Sequence, residues 1–376
     1  MKKPASSSVR QAGASRRGPY PAGDGAGVED SPDEGAAGNS SPACEYEVSV
    51  IVISFNTRDL LRECLQTAVA ECMRLPEDLR AEVLVVDNGS SDGSAEVVAT
   101  EFASSRIPVR LFRSEVNLGL AEASNLAMEA AGGRYIVLLN YDAFLQAGAL
   151  RKAILHMDAN RAVGIGGGRL VGRDGAWRPS AQSFPTLWRD ALFMTGLSER
   201  FPGSRIFNLD RTGASPDQPA QVDWVPQAFC ILRREILKKA GLFDPAFFLF
   251  YKEVDLCRRV KAAGFRVQYW PDMVVTYIGD ESGLQFHALK CSDAGAELVL
   301  GRIRSTLLYY RKHHGRQARL ALWLEQTIYT LRRLRNQGGV DAARRERAEE
   351  AKLLLGLMRR AWKETEGGRV SPPRPR

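Results

Sequence analysis

Asp142 closes the stretch Tyr135 to Asp142, YIVLLNYD, in which an apolar run from Tyr135 to Leu139 follows Gly132-Gly133 and gives way to polar residues. Such a run reads as a central strand buried on both faces. In open α/β sheets ligands bind beyond the carboxyl ends of the strands, so a carboxylate delivered there is placed for ligand or metal work. The same residue is also suited to capping the helix predicted from Gly148 to Met157, and the stretch by itself leaves both roles open. Asp87 ends a second buried run, EVLVVD, ahead of the turn NGSSDGS. Asp87, Asn88 and Ser91 are residue types that commonly make turn and cap hydrogen bonds. Glu253 and Asp255 stand at the start of a helical pattern from Val254 to Ala263, where the helix dipole favours acids.

Several elements must position these groups. VSVIVISFN from Val48 predicts a first strand, followed by a helix from about Thr57 to Met73. The strand Glu82 to Asp87 leads to a helix over Ser94–Phe102, and the strand Val109 to Phe112 to a helix over Ala121–Ala131. Strand and helix alternate, which predicts an α/β fold with a mostly parallel sheet covered on both faces. Farther on, Val222 to Leu232 alternates as a strand, Arg234 to Ala240 reads as a short helix, and Phe265 to Trp270 as a strand stopped by Pro271. Gly168 to Gln221 yields no clear pattern. Gly164 to Gly168 (GIGGG) is not a dinucleotide fingerprint, because no helix-forming run follows it.

The chain has 376 residues, 44% of them apolar, enough for one large domain with appendages. Residues 1–45 are rich in Gly, Ala, Ser and Pro and predict a disordered tail. The expected organisation is that tail, a main domain over 46–292, a basic helical region over 293–368 and a short tail over 369–376. The net charge of +8 is local: from Arg302 to Arg335 there are nine Arg or Lys residues and one acid, Glu325. Such a segment suits an anionic partner or a solvated helix face, and no nucleic-acid reader motif accompanies it. Six scattered cysteines without metal-ligand spacing fit reduced thiols in the cytoplasm, and neither a signal peptide nor a membrane span is expected.

Read in order, SFN (Ser54–Asn56), VVDNGSSDGS (Val85–Ser94), NLGLAEASN (Asn117–Asn125) and LLNYDA (Leu138–Ala143) form a recognisable series. With GLFDPAFFLFYKEVDLCRRVKAAG (Gly241–Gly264) and RSTLLYYRKHHG (Arg304–Gly315), the chain resembles glycosyltransferase family 2, in particular its rhamnosyltransferase-like branch. The resemblance covers roughly Val48 to Gly315. It implies a GT-A fold and an inverting transfer from a nucleoside-diphosphate sugar, such as a rhamnose-like 6-deoxyhexose or a related hexose. The implied acceptor is a glycan or a lipid-linked saccharide of bacterial polysaccharide or cell-wall assembly. The processive members' Gln-x-x-Arg-Trp motif is not found, which implies transfer of a single sugar.

The resemblance further implies that Ser54, Phe55 and Asn56 border the nucleotide and that Asp87 bonds the base or ribose. Asn117, Gly119 and Asn125 line the nucleoside pocket, and Asn140 and Asp142 belong to the nucleotide-sugar site. Asp142 is the implied ligand of a divalent cation, Mg²⁺ or Mn²⁺, which would stabilise the leaving diphosphate. Glu253, with Asp255 two residues on, stands where the branch carries its catalytic base. Three departures cluster there: Lys252 replaces an acid, Tyr141 replaces a proline, and Thr276-Tyr277 stands where a histidine is common. They put metal dependence in question and suggest that Lys252 substitutes in part for the cation's charge. The alternative they raise is a weak or inactive relative that binds glycan or assembly partners. The basic segment 302–335, with Leu320, Leu322, Trp323, Ile328, Leu331 and Leu334 among its arginines, suits either peripheral contact with the inner face of the cytoplasmic membrane or a packed helical pair.

Overall fold

Four strands, β1 (Tyr46–Ser54), β2 (Ala81–Asp87), β3 (Val109–Arg113) and β4 (Gly133–Asn140), pair in parallel in the spatial order β3-β2-β1-β4. In β1, Val48, Val50 and Val52 enter one apolar layer and Ile51 and Ile53 the other. β2 divides in the same way, Val83 and Val85 against Leu84 and Val86, and β4 sends Val137 and Leu139 one way and Ile136 and Leu138 the other. Successive side chains of a strand point to opposite faces, so strands that are apolar throughout must be covered on both. The covering helices are α1 (Arg58–Met73), α2 (Ser94–Glu101) and α4 (Ala149–Ala159) on the first layer and α3 (Leu120–Ala130) on the second.

The computed structural model describes residues 44–195, 200, 216–279, 293–338 and 341–372. The tail predicted over 1–45 therefore lies almost wholly outside the described residues, as do Cys291, most of 196–215 and the predicted domain boundary at 292.

The second half of the sheet is mixed. β5 (Ala143–Leu145), β6 (Val163–Val171), β7 (Trp177–Arg178), β8 (Ala220–Val222), β9 (Phe229–Arg233) and β10 (Arg266–Tyr277) extend the order to β3-β2-β1-β4-β9-β6-β10-β5, with β7 beside β6 and β8 beside β10. β9 runs antiparallel to both β4 and β6, while β6 and β10 are parallel. Two predicted strands come out differently. Val222 to Leu232 is not continuous: β8 ends at Val222, and a turn at Gln227 and Ala228 precedes β9. β10 does not stop at Pro271 but continues to Tyr277, with an irregular register between Trp270 and Val274 that accommodates a residue lacking an N–H. The glycines of GIGGG lie within β6 for a packing reason. A Cβ on Gly166 would come within 2.2 Å of the Trp270 ring, and one on Gly167 within 2.6 Å of Val225.

Three shorter helices follow, α5 (Leu187–Met194), α6 (Ile236–Ala240) and α7 (Lys252–Ala262). The basic C-terminal region forms α8 (Asp293–His314), α9 (Gln317–Asn336) and α10 (Ala342–Glu364). Val299, Ile303 and Leu307 of α8 pack with Leu322 of α9 and Leu354 and Met358 of α10. Leu308, Tyr309 and Tyr310 of α8 join Phe247, Val254 and Ala318 in a further apolar cluster, which attaches these helices to the start of α7. No helix among the described residues is long and apolar enough to cross a membrane.

Candidate active site

The carboxyl ends of β1, β2 and β4 lie side by side, Ser54 in register with Asp87 and Ile53 with Asn140. Asp87 is buried; its Oδ2 accepts the Ser90 N–H at 3.2 Å, whereas its Oδ1, also buried, has no partner. Asp142 follows β4 and is likewise buried with an unpartnered Oδ1. Its backbone is fixed by the Ile278 N–H, which donates to the Asp142 carbonyl at 3.1 Å just after β10. The neighbouring Asn140 carbonyl accepts from the Cys64 thiol of α1 at 3.4 Å. Burial pushes the Asp142 carboxyl up to about 6. Buried polar atoms are nearly always hydrogen-bonded, so two solvent-excluded carboxylate oxygens without partners at the ligand edge of the sheet are a sign of something that binds there.

The loops around this edge are fastened to one another. Asn56 takes a left-handed φ of 52°, its Oδ1 accepting the Ser91 N–H at 2.8 Å and its own N–H donating to Ser90 Oγ at 2.9 Å. Ser54 shares a 2.9 Å hydrogen bond with Thr57 and is fully buried. Asn117 Oδ1 accepts from Asn88 Nδ2 and from the Gly119 N–H, both at 2.9 Å. Gly119 has a φ of 80° and supports the loop carrying Phe248, since a Cβ there would meet the Phe248 ring at 2.5 Å. Asn125 clips the same loop: its amide donates to the Phe243 carbonyl at 2.8 Å and accepts the Phe243 N–H at 2.9 Å. The side chains of Ser54, Asn56 and Asn125 are therefore engaged within the protein. Phe55, 43% exposed, and Asn117 line a cavity of about 830 Å³. Its other walls are Phe248–Phe250, one face of α8 that includes Leu298 and Leu308, and Ser371–Pro372 of the predicted C-terminal tail.

The acids of α7 have different surroundings. Asp255 is fully buried and accepts from Arg259 Nε at 2.8 Å, Lys312 Nζ at 2.7 Å and His313 Nε2 at 2.7 Å. Burial by itself would raise its pKa, but the hydrogen bonds from His313 and Lys312 and the charges of Arg259 and Lys312 outweigh it and hold the carboxyl at about 2. So saturated a carboxylate is poorly suited to taking a proton from a substrate, and its geometry is that of a tie between α7 and α8. Glu253 keeps 20% of its side-chain surface exposed, with Oε2 3.2 Å from Lys252 Nζ. The Lys252 ammonium is buried and also donates to the Leu249 carbonyl at 3.0 Å.

Two features of this region have no signature in the sequence. Tyr251, just before α7, adopts a left-handed φ of 69°, an uncommon and strained conformation for a bulky residue. Gln227, 5% exposed, donates from Nε2 to Ser124 Oγ at 3.0 Å while its buried Oε1 has no partner.

The model of glycosyl transferase family 2 matches residues 49–241, just over half of the chain, including Asp87 and Asp142. The chain belongs to that family. This glycosyltransferase is similar to the N-acetylglucosaminyl-diphospho-decaprenol L-rhamnosyltransferase of Mycobacterium tuberculosis, 25% identical over 301 residues that cover 76% of this chain and 92% of the relative. It is also similar to a succinoglycan biosynthesis protein of Rhizobium meliloti, 32% identical over 116 residues, 30% of each chain. Among solved structures, a mannosyltransferase from Pyrobaculum calidifontis in complex with GDP-Man and Mn²⁺ aligns with a TM-score of 0.52 at 17% identity, covering 87% of this chain and 90% of that one. That likeness establishes the GT-A fold.

The described residues of this glycosyltransferase contain no group of three His, Cys, Asp or Glu side chains poised around one point. A divalent cation is nevertheless compatible with the edge. Mg²⁺ sites built on one or two carboxylates are completed by water and substrate phosphates, and Asp142 offers a buried carboxylate oxygen that nothing else uses.

Proposed function

We propose that the protein is an inverting, non-processive glycosyltransferase. It moves a 6-deoxyhexose such as rhamnose, or a related hexose, from a nucleoside diphosphate to a glycan or lipid-linked acceptor in polysaccharide or cell-wall assembly. The observation that carries the reading is the pair of unpartnered, buried carboxylate oxygens, Asp87 Oδ1 and Asp142 Oδ1, at the carboxyl ends of β2 and β4, the parallel strands on either side of β1, in a family 2 chain. In this reading Asp87 accepts a hydrogen bond from the nucleoside, with Phe55 and Asn117 beside it. Asp142, with Asn140 next to it, holds Mg²⁺ or Mn²⁺, which when bound supplies positive charge to the departing diphosphate. Glu253 accepts the proton from the acceptor hydroxyl as its oxygen bonds to the anomeric carbon. The bond from that carbon to the phosphate oxygen breaks, and its electron pair leaves with the nucleoside diphosphate. The cavity beside Phe55, walled by Phe248, Leu249, Phe250, Leu298 and Leu308, suits an acceptor with an apolar portion.

Thermal unfolding with UDP, dTDP and GDP, each with and without Mn²⁺ or Mg²⁺, tests this. A ligand at ~100 times its dissociation constant that binds only the folded protein adds about 2.7 kcal/mol of stability. Stabilisation by one nucleotide that depends on the cation is the expected result. No response to any of them would overturn the transferase reading in favour of an inactive relative.

Membrane contact is the second part of the proposal, and it narrows the basic segment to α9. Arg302, Arg304 and Lys312 of α8 face acids within the protein, namely Glu325, Glu364, Asp244 and Asp255. On α9, by contrast, Leu320, Trp323, Leu331 and Leu334 are 49–61% exposed along one helical stripe, with Arg316, Arg319 and Arg335 exposed beside them. A helix with this profile suits the surface of an anionic bilayer, here the inner face of the cytoplasmic membrane, where a lipid-linked acceptor would be met. The protein should co-sediment with vesicles containing anionic lipid at low salt, and Trp323→Glu with Leu331→Glu should abolish it. Equal partitioning to neutral and anionic vesicles would end the membrane reading.

A further inference from the structure

Gln227 is a polar side chain with half of its amide satisfied. The turn that carries it lies between β8 and β9, and the next residue is tied to the end of β4, the Asn140 N–H donating to the Ala228 carbonyl at 3.2 Å. Asp142 follows two residues after Asn140. On the opposite side, Ser124 of α3 fixes the amide by accepting from Nε2, which orients Oε1 and leaves it as the group to be used. The turn also borders α7: Val225 packs with Leu256 and Cys257 of that helix and with Cys230 of β9 in one buried apolar cluster. Gln227 thus lies between the strand end that delivers Asp142 and the helix start that delivers Glu253.

Asp87, Asp142 and Gln227, the unpartnered acceptors at the ends of β2, β4 and the start of β9, differ in chemistry. Asp87 and Asp142 offer anionic oxygens, which suit a nucleoside donor group or a cation. Gln227 offers a neutral carbonyl oxygen, which suits a hydroxyl or an amide N–H and repels neither. In a glycosyl transfer the group that must lie between the leaving diphosphate and the proton acceptor is the sugar ring of the donor. We infer that Gln227 Oε1 accepts a hydrogen bond from a hydroxyl of the transferred sugar and so helps select which sugar is moved, with Ser124 as its positioning residue. The inference rests on the transferase reading above and adds to it a sugar-selecting contact. A site that hydrogen-bonds a substrate hydroxyl discriminates strongly against an analogue lacking it, because the buried acceptor is then left unpaired.

The test compares binding of a nucleoside diphosphate with binding of the corresponding nucleoside-diphosphate sugars, by calorimetry in the presence of Mg²⁺, for the unmodified protein and for Gln227→Met. Methionine keeps the length of the side chain and removes the acceptor. The expected result is a roughly tenfold loss of affinity for the preferred nucleotide sugar with affinity for the free nucleotide unchanged. The preference among nucleotide sugars that differ at single hydroxyls should narrow with it. Ser124→Ala keeps the acceptor but frees the amide, and should give a smaller loss of the same selectivity. Equal changes in nucleotide and nucleotide-sugar affinity, or no change in either, would overturn the role of Gln227 while leaving the transferase reading intact. If Gln227→Met does not fold, an unchanged sugar preference in Ser124→Ala overturns it instead. Absence of any nucleotide binding by the unmodified protein would overturn both.

Discussion

Replacing Asp142 with asparagine should cost at least roughly a hundredfold in transfer rate and, in the same molecule, raise the stability of the free protein near neutral pH. Both effects come from one placement. The carboxylate is buried with an oxygen that no protein group satisfies, and burial lifts its pKa from 3.8 to about 6. A folded-state pKa above the unfolded value means that the neutral acid is the better guest. The associated stability is present in full below about pH 4 and is lost as the pH rises through 6. By pH 7.5 the ionised group costs about 3 kcal/mol, which asparagine, always neutral, does not incur. Melting temperatures of the two proteins, measured in EDTA without nucleotide from pH 4 to 8, should diverge by a few degrees at the alkaline end and converge at the acid end. A variant of near-normal activity, or one whose stability advantage does not shrink on acidification, would contradict this account.

The two acids of α7 should separate cleanly when each is changed. Asp255→Ala leaves Arg259, Lys312 and His313 around an empty place in the interior, and breaking a buried ion pair in this way typically costs about 3–5 kcal/mol. The Asp255 pKa of about 2 lies below the unfolded value of 3.8, so its contribution is present above about pH 4 and disappears as the pH falls toward 2, about 2–3 kcal/mol in all. Glu253→Gln should do the opposite. The amide keeps an oxygen for the Lys252 ammonium, so the melting temperature should scarcely move. The lost proton acceptor should reduce the rate by roughly 10²–10⁴-fold. Thermal unfolding and initial rates on the same two preparations decide the matter. An Asp255→Asn protein that melts normally but has lost its activity would transfer the catalytic role from Glu253 to Asp255.

Spacing in the sequence assigns one role to both acids, because they sit two residues apart in a single motif. What divides them is contact with α8. His313 and Lys312 lie more than fifty residues farther along the chain, and only the packing of α8 against the start of α7 brings them to Asp255. The same holds for Asn125. Its place in NLGLAEASN suggests a ligand contact, but both ends of its amide are taken by Phe243 in a distant loop. Gln227 shows the reverse. It stands in an alternating apolar stretch without any motif, and only the break between β8 and β9 carries it to the ligand edge.

The sequence by itself determined the layered α/β sheet, because runs of apolar residues with no polar alternation can be satisfied only as strands covered on both faces. It determined as well that Asp87 ends a strand and that Asp142 stands just beyond one, since the change from apolar run to carboxylate is local. The register is not local. That β9 inserts antiparallel between β4 and β6, that β10 continues past Pro271, and which carboxylates remain unpaired were decided by the tertiary structure alone. A side chain's role depends on whether a partner arrives from elsewhere in the chain, and that is a property of packing that no short window of sequence contains.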